Sequence, residues 1–85
     1  MLTQRRLQHL LVLAQYAHFG RAAQSLHISQ PALTKSIQSL EAELGVTLLD
    51  RQRGAVALTA FGELVVKRSK SWLTAEDDLR REINM

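Results

Sequence analysis

At 85 residues the chain has room for a single domain with a compact core, since a chain of this size buries only about 60–65% of its unfolded surface. Its 46% hydrophobic and 22% charged residues are those of an ordinary globule and exclude a disordered or fibrous chain, and the lack of cysteine excludes disulfides and thiolate metal sites. The longest apolar run, Leu10 to Ala14, is far short of the roughly 20 residues of a bilayer span, and no signal-peptide pattern is visible, so a cytoplasmic location is expected. The formal net charge of +3 is uneven. Residues 1–60 hold six basic side chains (Arg5, Arg6, Arg21, Lys35, Arg51, Arg53) against three acidic ones (Glu41, Glu43, Asp50), while the remainder is balanced. A polyanionic partner would therefore meet the first segment.

In chain order, Leu7, Leu10, Leu11, Ala14 and Ala17 repeat at amphipathic spacing and predict a first helix from Thr3 to about Ala17, with Thr3 as its cap. His18-Phe19-Gly20 interrupts the pattern, and Ala22, Ala23 and Leu26 give a second helix only two turns long. After His27-Ile28, Ser29 is placed to cap a third helix, and Pro31 falls in its first turn, where a missing N–H costs nothing. Leu33, Ile37, Leu40 and Leu44 form the apolar stripe of that helix, and Gly45 is placed to end it. Pro31, Lys35 and Gln38 project opposite the stripe, with Thr34 on its flank.

Leu48 and Asp50, then Val56 and Leu58, alternate about Gln52-Arg53-Gly54 and predict a short hairpin with Arg51 and Arg53 at its tip. Thr59 then caps a long helix that could reach about 40 Å.

A two-turn helix, a tight turn and a second helix with a polar outer face form the geometry that fits a helix into the major groove of B-DNA. Small Ala23 allows the two helices to approach closely. On the exposed face Gln30 can pair with adenine, Thr34 can touch a thymine methyl, and Lys35 can reach guanine or a phosphate. Glu41 and Glu43 lie at the far end, so the positive helix end would point toward phosphates and the acidic end away. Taken alone, such polar residues are more often a solvated helix face. The order of short helix, capped Ser-Gln-Pro start and basic hairpin favours the groove reader. Arg5 and Arg6 could touch phosphates, but such a pair is more often a solvated helix start.

The stretch from Phe19 to Lys35, with Leu40-Glu41, Leu44-Gly45, Arg51 and Leu58-Thr59, resembles the LysR-type transcriptional regulators over about Leu7 to Gly62. The resemblance implies a mainly α fold: a winged helix-turn-helix of three helices plus a short β-hairpin wing, followed by a long dimerising linker helix. It divides the chain into a DNA-binding unit, 1–58, and a linker helix, 59–85. It carries DNA contacts onto Ser29, Gln30, Pro31, Thr34 and Lys35, and onto Arg51 and Arg53 in the wing. Gln38 joins them from its place on the exposed face. The implied partners are double-stranded operator DNA and a second copy, with tetramers a further expectation. No cofactor is implied. Members usually continue into a ligand-binding domain, so this chain reads as a fragment, with any small-molecule effector belonging to the missing part. Gly20 departs from the usual Ser or Thr cap of the second helix, Leu49 from the usual Phe, Thr34-Lys35 from the commoner Ser-Arg, and Phe61 from Ala.

Along the last helix Phe61, Val65, Arg68, Trp72, Ala75 and Leu79 follow at steps of 4, 3, 4, 3 and 4, a coiled-coil seam that implies a partner helix. Packing back on the chain's own core is an equal alternative for Phe61, Leu64 and Val65, but not for Trp72, Leu79 and Ile83. His9, His18 and His27 stand nine residues apart, so no two share a helical turn, and with no cysteine to assist no metal site is expected; no nucleophile or phosphate-loop motif suggests an enzyme. The competing reading is a protein–protein adaptor docking through the Trp72 helix, which would have no need for a basic recognition start and hairpin tip.

Overall fold

In a computed structural model, residues 3–54 and 56–84 are described, and they form four helices: α1 (Gln4–Tyr16), α2 (Phe19–Leu26), α3 (Gln30–Leu44) and α4 (Ala60–Ile83). The chain is a mainly α winged helix-turn-helix with a long final helix. Thr3 caps α1 by accepting from the Arg6 N–H, and Ser29 caps α3 by accepting from the Ala32 N–H, both as the sequence predicts. Gly45 ends α3 in the left-handed region at φ 71°.

The start of α2 differs from expectation. His18, which looked like part of a break, is the cap: its Nδ1 accepts from the Arg21 N–H at 3.0 Å. Gly20 therefore lies inside the helix and is not the capping position. Its Cα faces the His18 ring, and a Cβ there would stand 3.0 Å from His18 Cε1. An imidazole cap and a glycine beneath it thus replace a hydroxyl cap.

α1 is the hub, packing against α2, α3 and α4. Its buried residues are Leu7, Leu10 and Leu13, joined by Ala22 and Ala23 of α2, by Leu33, Ile37 and Leu40 of α3, and by Leu48 and Leu49. The expected stripe through Leu11, Ala14 and Ala17 is thus corrected. Leu11 and Ala14 are half-buried, and exposed Ala17 closes α1 in the left-handed region at φ 52°. The flank at Leu11 and Ala14 borders Val66 and Lys70 of α4, which cover it only in part.

The hairpin is short. Leu49 and Leu58 form an isolated antiparallel bridge, flanked by the Asp50 N–H donating to the Ala57 carbonyl (2.7 Å) and the Thr59 N–H to the Leu48 carbonyl (3.0 Å). The expected alternation fails on its first arm, where consecutive Leu48 and Leu49 are both buried. One lies under α4, and the other has entered the ladder. Leu49 is 6% exposed, so the residue standing where the family usually has Phe still fills the core.

Thr59 joins this hairpin to α4 twice, accepting from the Gly62 N–H and donating its hydroxyl to the Thr47 carbonyl at 2.7 Å. α4 has 24 residues and runs about 36 Å at 1.5 Å per residue. Its first half packs against α1, with Ser69 buried and Val65 and Val66 half-buried, while buried Gly62 lies against the hairpin arm. At Gly62 the approach is so close that a Cβ would overlap the Leu48 carbonyl oxygen.

Candidate nucleic-acid interface

The outer face of α3 is held by everything beneath it. Ala22 and Ala23 are almost wholly buried, and their methyl-sized side chains let α2 lie against the rest of the core. The turn between α2 and α3 is a left-handed closure at His27 (φ 58°), with the Ile28 N–H donating to the Ala23 carbonyl and the His27 N–H to the Gln24 carbonyl. A non-glycine residue there forgoes about 1 kcal/mol or more of conformational preference, a strain that packed surroundings sustain. The turn then delivers the chain to Ser29 in extended conformation (φ −74°, ψ 155°), from which α3 starts.

On that helix Gln30, Pro31, Thr34, Lys35 and Gln38 line one shallow surface concavity, with Thr34 half-buried at its edge and the other four exposed. Ser29 is exposed at the helix start. Five of the six residues proposed for α3 thus share one surface, and Ser29 caps the helix at its start. Arg51 and Arg53 are exposed in the hairpin turn, which Asp50 organises by accepting from the Gln52 N–H at its carboxylate and from the Arg53 N–H at its carbonyl. Gly54 takes φ 142°, a conformation side chains rarely adopt.

Glu41 and Glu43 lie at the far end of α3, and each also ties that helix to a neighbour: Glu41 accepts from the Leu48 N–H at 2.7 Å, and Glu43 accepts from Arg6 at 3.2 Å. His9 of α1 meets Ser36 of α3, Nδ1 to Oγ 2.7 Å. Burial, and then the nearby Arg5 charge, lower the His9 pKa below its ordinary value of about 6.5. Each histidine thus has a structural place of its own, and no group of three metal-ligating side chains occurs among the described residues. These ties were invisible in the sequence because they join residues up to 37 positions apart through long side chains.

On α4, Phe61 (54% exposed), Leu64, Trp72 (47%), Leu79 (55%) and Ile83 are large apolar side chains left open, and Arg68 and Ala75 are exposed beside them. Val65 is turned toward the chain's own core. With Leu7, Leu44, Leu64, Val65, Arg68 and Ser69, Trp72 lines an open apolar groove.

A two-turn helix, a tight turn, a polar-faced third helix and an abbreviated basic hairpin define the winged helix-turn-helix class. Residues 4–63 match the family model of the bacterial regulatory helix-turn-helix proteins of the lysR family, and the chain belongs to that family. It is 45% identical over 80 residues to the SDS degradation transcriptional activation protein of Pseudomonas sp. (strain ATCC 19151), covering 94% of this chain and 26% of that protein. Full-length OxyR C199D from Pseudomonas aeruginosa superposes with a TM-score of 0.89 at 38% identity, over 99% of this chain and 28% of that one. The BenM DNA-binding domain in complex with catB site 1 DNA gives 0.91 at 30% identity, over 98% and 93%. The chain spans about a quarter of the length of the curated relatives it matches. No described helix is long and apolar enough to cross a membrane.

Proposed function

We propose that this chain is the operator-recognition domain of a LysR-type transcriptional regulator, binding double-stranded DNA sequence-specifically as a dimer. The observation that carries the reading is the single concavity formed by Gln30, Pro31, Thr34, Lys35 and Gln38 on a helix whose start and tilt are fixed by the Ser29 cap and the Ala22–Ala23 contact. Solved DNA complexes of similar fold support it. In this reading α3 enters the major groove by its N-terminal half. Gln30 pairs with a base edge, most favourably adenine, Thr34 packs on a thymine methyl, and Lys35 reaches guanine or a phosphate. Pro31, Ser29 and Gln38 set the depth and flank of the helix, and Arg51 and Arg53 hold the neighbouring backbone or minor groove.

Residues 1–58 then form the DNA-binding unit and 59–85 the linker helix. Its open face, Phe61, Arg68, Trp72, Ala75 and Leu79 with Val65 at the edge, meets the same helix of a second copy, and the two-fold arrangement places two α3 helices on one side of the duplex. The domain catalyses nothing and works in the cytoplasm. Regulation by a small molecule falls to a further domain, as in regulators of this family.

Gln30→Ala should weaken binding to a selected site by about 1–3 kcal/mol and relax preference at one base position. Equal losses on selected and random duplexes would overturn base reading. The adaptor alternative is separated by salt, because DNA affinity falls linearly in logarithmic terms as salt rises.

A further inference from the structure

Beside the reading face lies a second exposed cleft, between the start of α1 and the flank of α3, lined by Thr3, Arg5, His9, Lys35, Ser36 and Ser39. No carboxylate lines it among the described residues. Arg6 shares its wall but is engaged with Glu43 at 3.2 Å, so the cleft presents Arg5 and Lys35 together with hydroxyl groups. His9 and Ser36, in contact at 2.7 Å, hold the two helices at a fixed separation.

Lys35 lines both this cleft and the reading concavity, which makes the two surfaces continuous. That continuity names the occupant. A helix about 10–12 Å across fills a major groove about 12 Å wide, so the two DNA strands must run along its two flanks. One flank of α3 is the side of Gln30 and Thr34. The other carries Ser36 and Ser39 and faces the start of α1.

We propose that the cleft is a phosphodiester site for the strand on the α1 side of the groove, with Arg5 holding a backbone phosphate that the reading face does not reach. This rests on the DNA-binding reading and adds to it a second, sequence-independent anchor outside the helix-turn-helix and the wing. Contacts of this kind fix how deeply and at what angle a recognition helix sits, and they contribute equally on every sequence.

The test uses this chain, a 30-base-pair duplex of random sequence and a duplex carrying a selected site, titrated by fluorescence anisotropy from 50 to 300 mM salt. Releasing one phosphate's counterions corresponds to a slope of about 0.9 and a factor of about eight at 0.1 M salt. With one such contact in each half of the proposed dimer, Arg5→Ala is expected to lower affinity for both duplexes by roughly the square of that factor and to flatten both salt slopes by about two, while Arg5→Lys keeps most of each. Arg80→Ala, removing an exposed arginine paired with Glu76 far along α4, is expected to change neither. Unchanged affinity and slope for Arg5→Ala, a loss confined to the selected site, or an equal loss for Arg80→Ala would each overturn the cleft alone. A wild-type chain that binds no duplex would instead overturn the functional reading beneath it.

Discussion

Replacing Gly62 by alanine puts the packing of α4 on the body to a direct test. In an isolated helix this change is favourable by about 0.5–1 kcal/mol, because glycine loses more backbone freedom on folding. Here the new methyl would overlap the Leu48 carbonyl oxygen, which cannot swing aside because it accepts from the Thr59 N–H at 3.0 Å. Either α4 shifts outward or the hairpin arm moves. Overpacking of this kind costs about 1–3 kcal/mol. Disturbing the Thr59 N–H to Leu48 bond or the Thr59 hydroxyl to Thr47 bond adds about 1 kcal/mol each. Set against the helical gain, the net loss should be about 2–3 kcal/mol, a fall in Tm of roughly 10–15 °C for a domain of this size. Gly45→Ala is the comparison. Nothing lies within 4 Å of its Cβ position, so only the left-handed φ of 71° is at stake, and about 1 kcal/mol should be lost. Urea unfolding followed by circular dichroism measures both. A Gly62→Ala chain as stable as wild type, or less affected than Gly45→Ala, would refute the close approach of α4 to Leu48.

Three further outcomes are expected. The folded state holds the His9 proton more weakly than the unfolded chain does, so neutral His9 contributes stability that is present above pH 6.5 and is lost as pH falls toward the lower folded value. Thermal melts from pH 5 to 8 should therefore show a shallower acid loss for His9→Gln than for wild type, and parallel curves would contradict this. Glu41→Ala leaves the Leu48 N–H without its acceptor and should cost about 1.5–3 kcal/mol in urea unfolding, whereas Glu41→Gln keeps most of that. Leu79→Glu places a charge on the open face of α4, and sedimentation should find monomer where the wild-type chain sediments as dimer, with helix content unchanged.

Much of this fold is legible in the sequence because local chemistry and core patterning agree. Thr3, Ser29 and Thr59 announce helix starts, Gly45 announces an end, and Leu33, Ile37 and Leu40 announce the buried side of α3. Fixing that side also fixes the opposite one, which is why the polar outer face of α3 is legible from the apolar stripe alone. Legibility fails where a residue acts against its usual preference. Ala17 and His27 adopt left-handed conformations without being glycine, and His18 caps a helix with an imidazole. It fails again where tertiary partners override pattern, as at Leu48 and Leu49, buried in succession because α4 covers the hairpin base. The sequence offers Arg5 as a phosphate contact, but its place in a cleft with Lys35 is illegible for a third reason. Arg5 and Lys35 are thirty positions apart, and only the packing of α1 on α3 makes them neighbours across one surface.

The central claim is that the face of α3 reads sequence. Selection of this chain against randomised duplex DNA, followed by sequencing, at about 150 mM salt so that the non-specific phosphate term is damped, tests it most directly. The account predicts enrichment of a two-fold symmetric site whose half-site preference relaxes at one position with Gln30→Ala. Retention of duplexes without sequence enrichment would contradict it, leaving α3 a phosphate-binding surface and no reader.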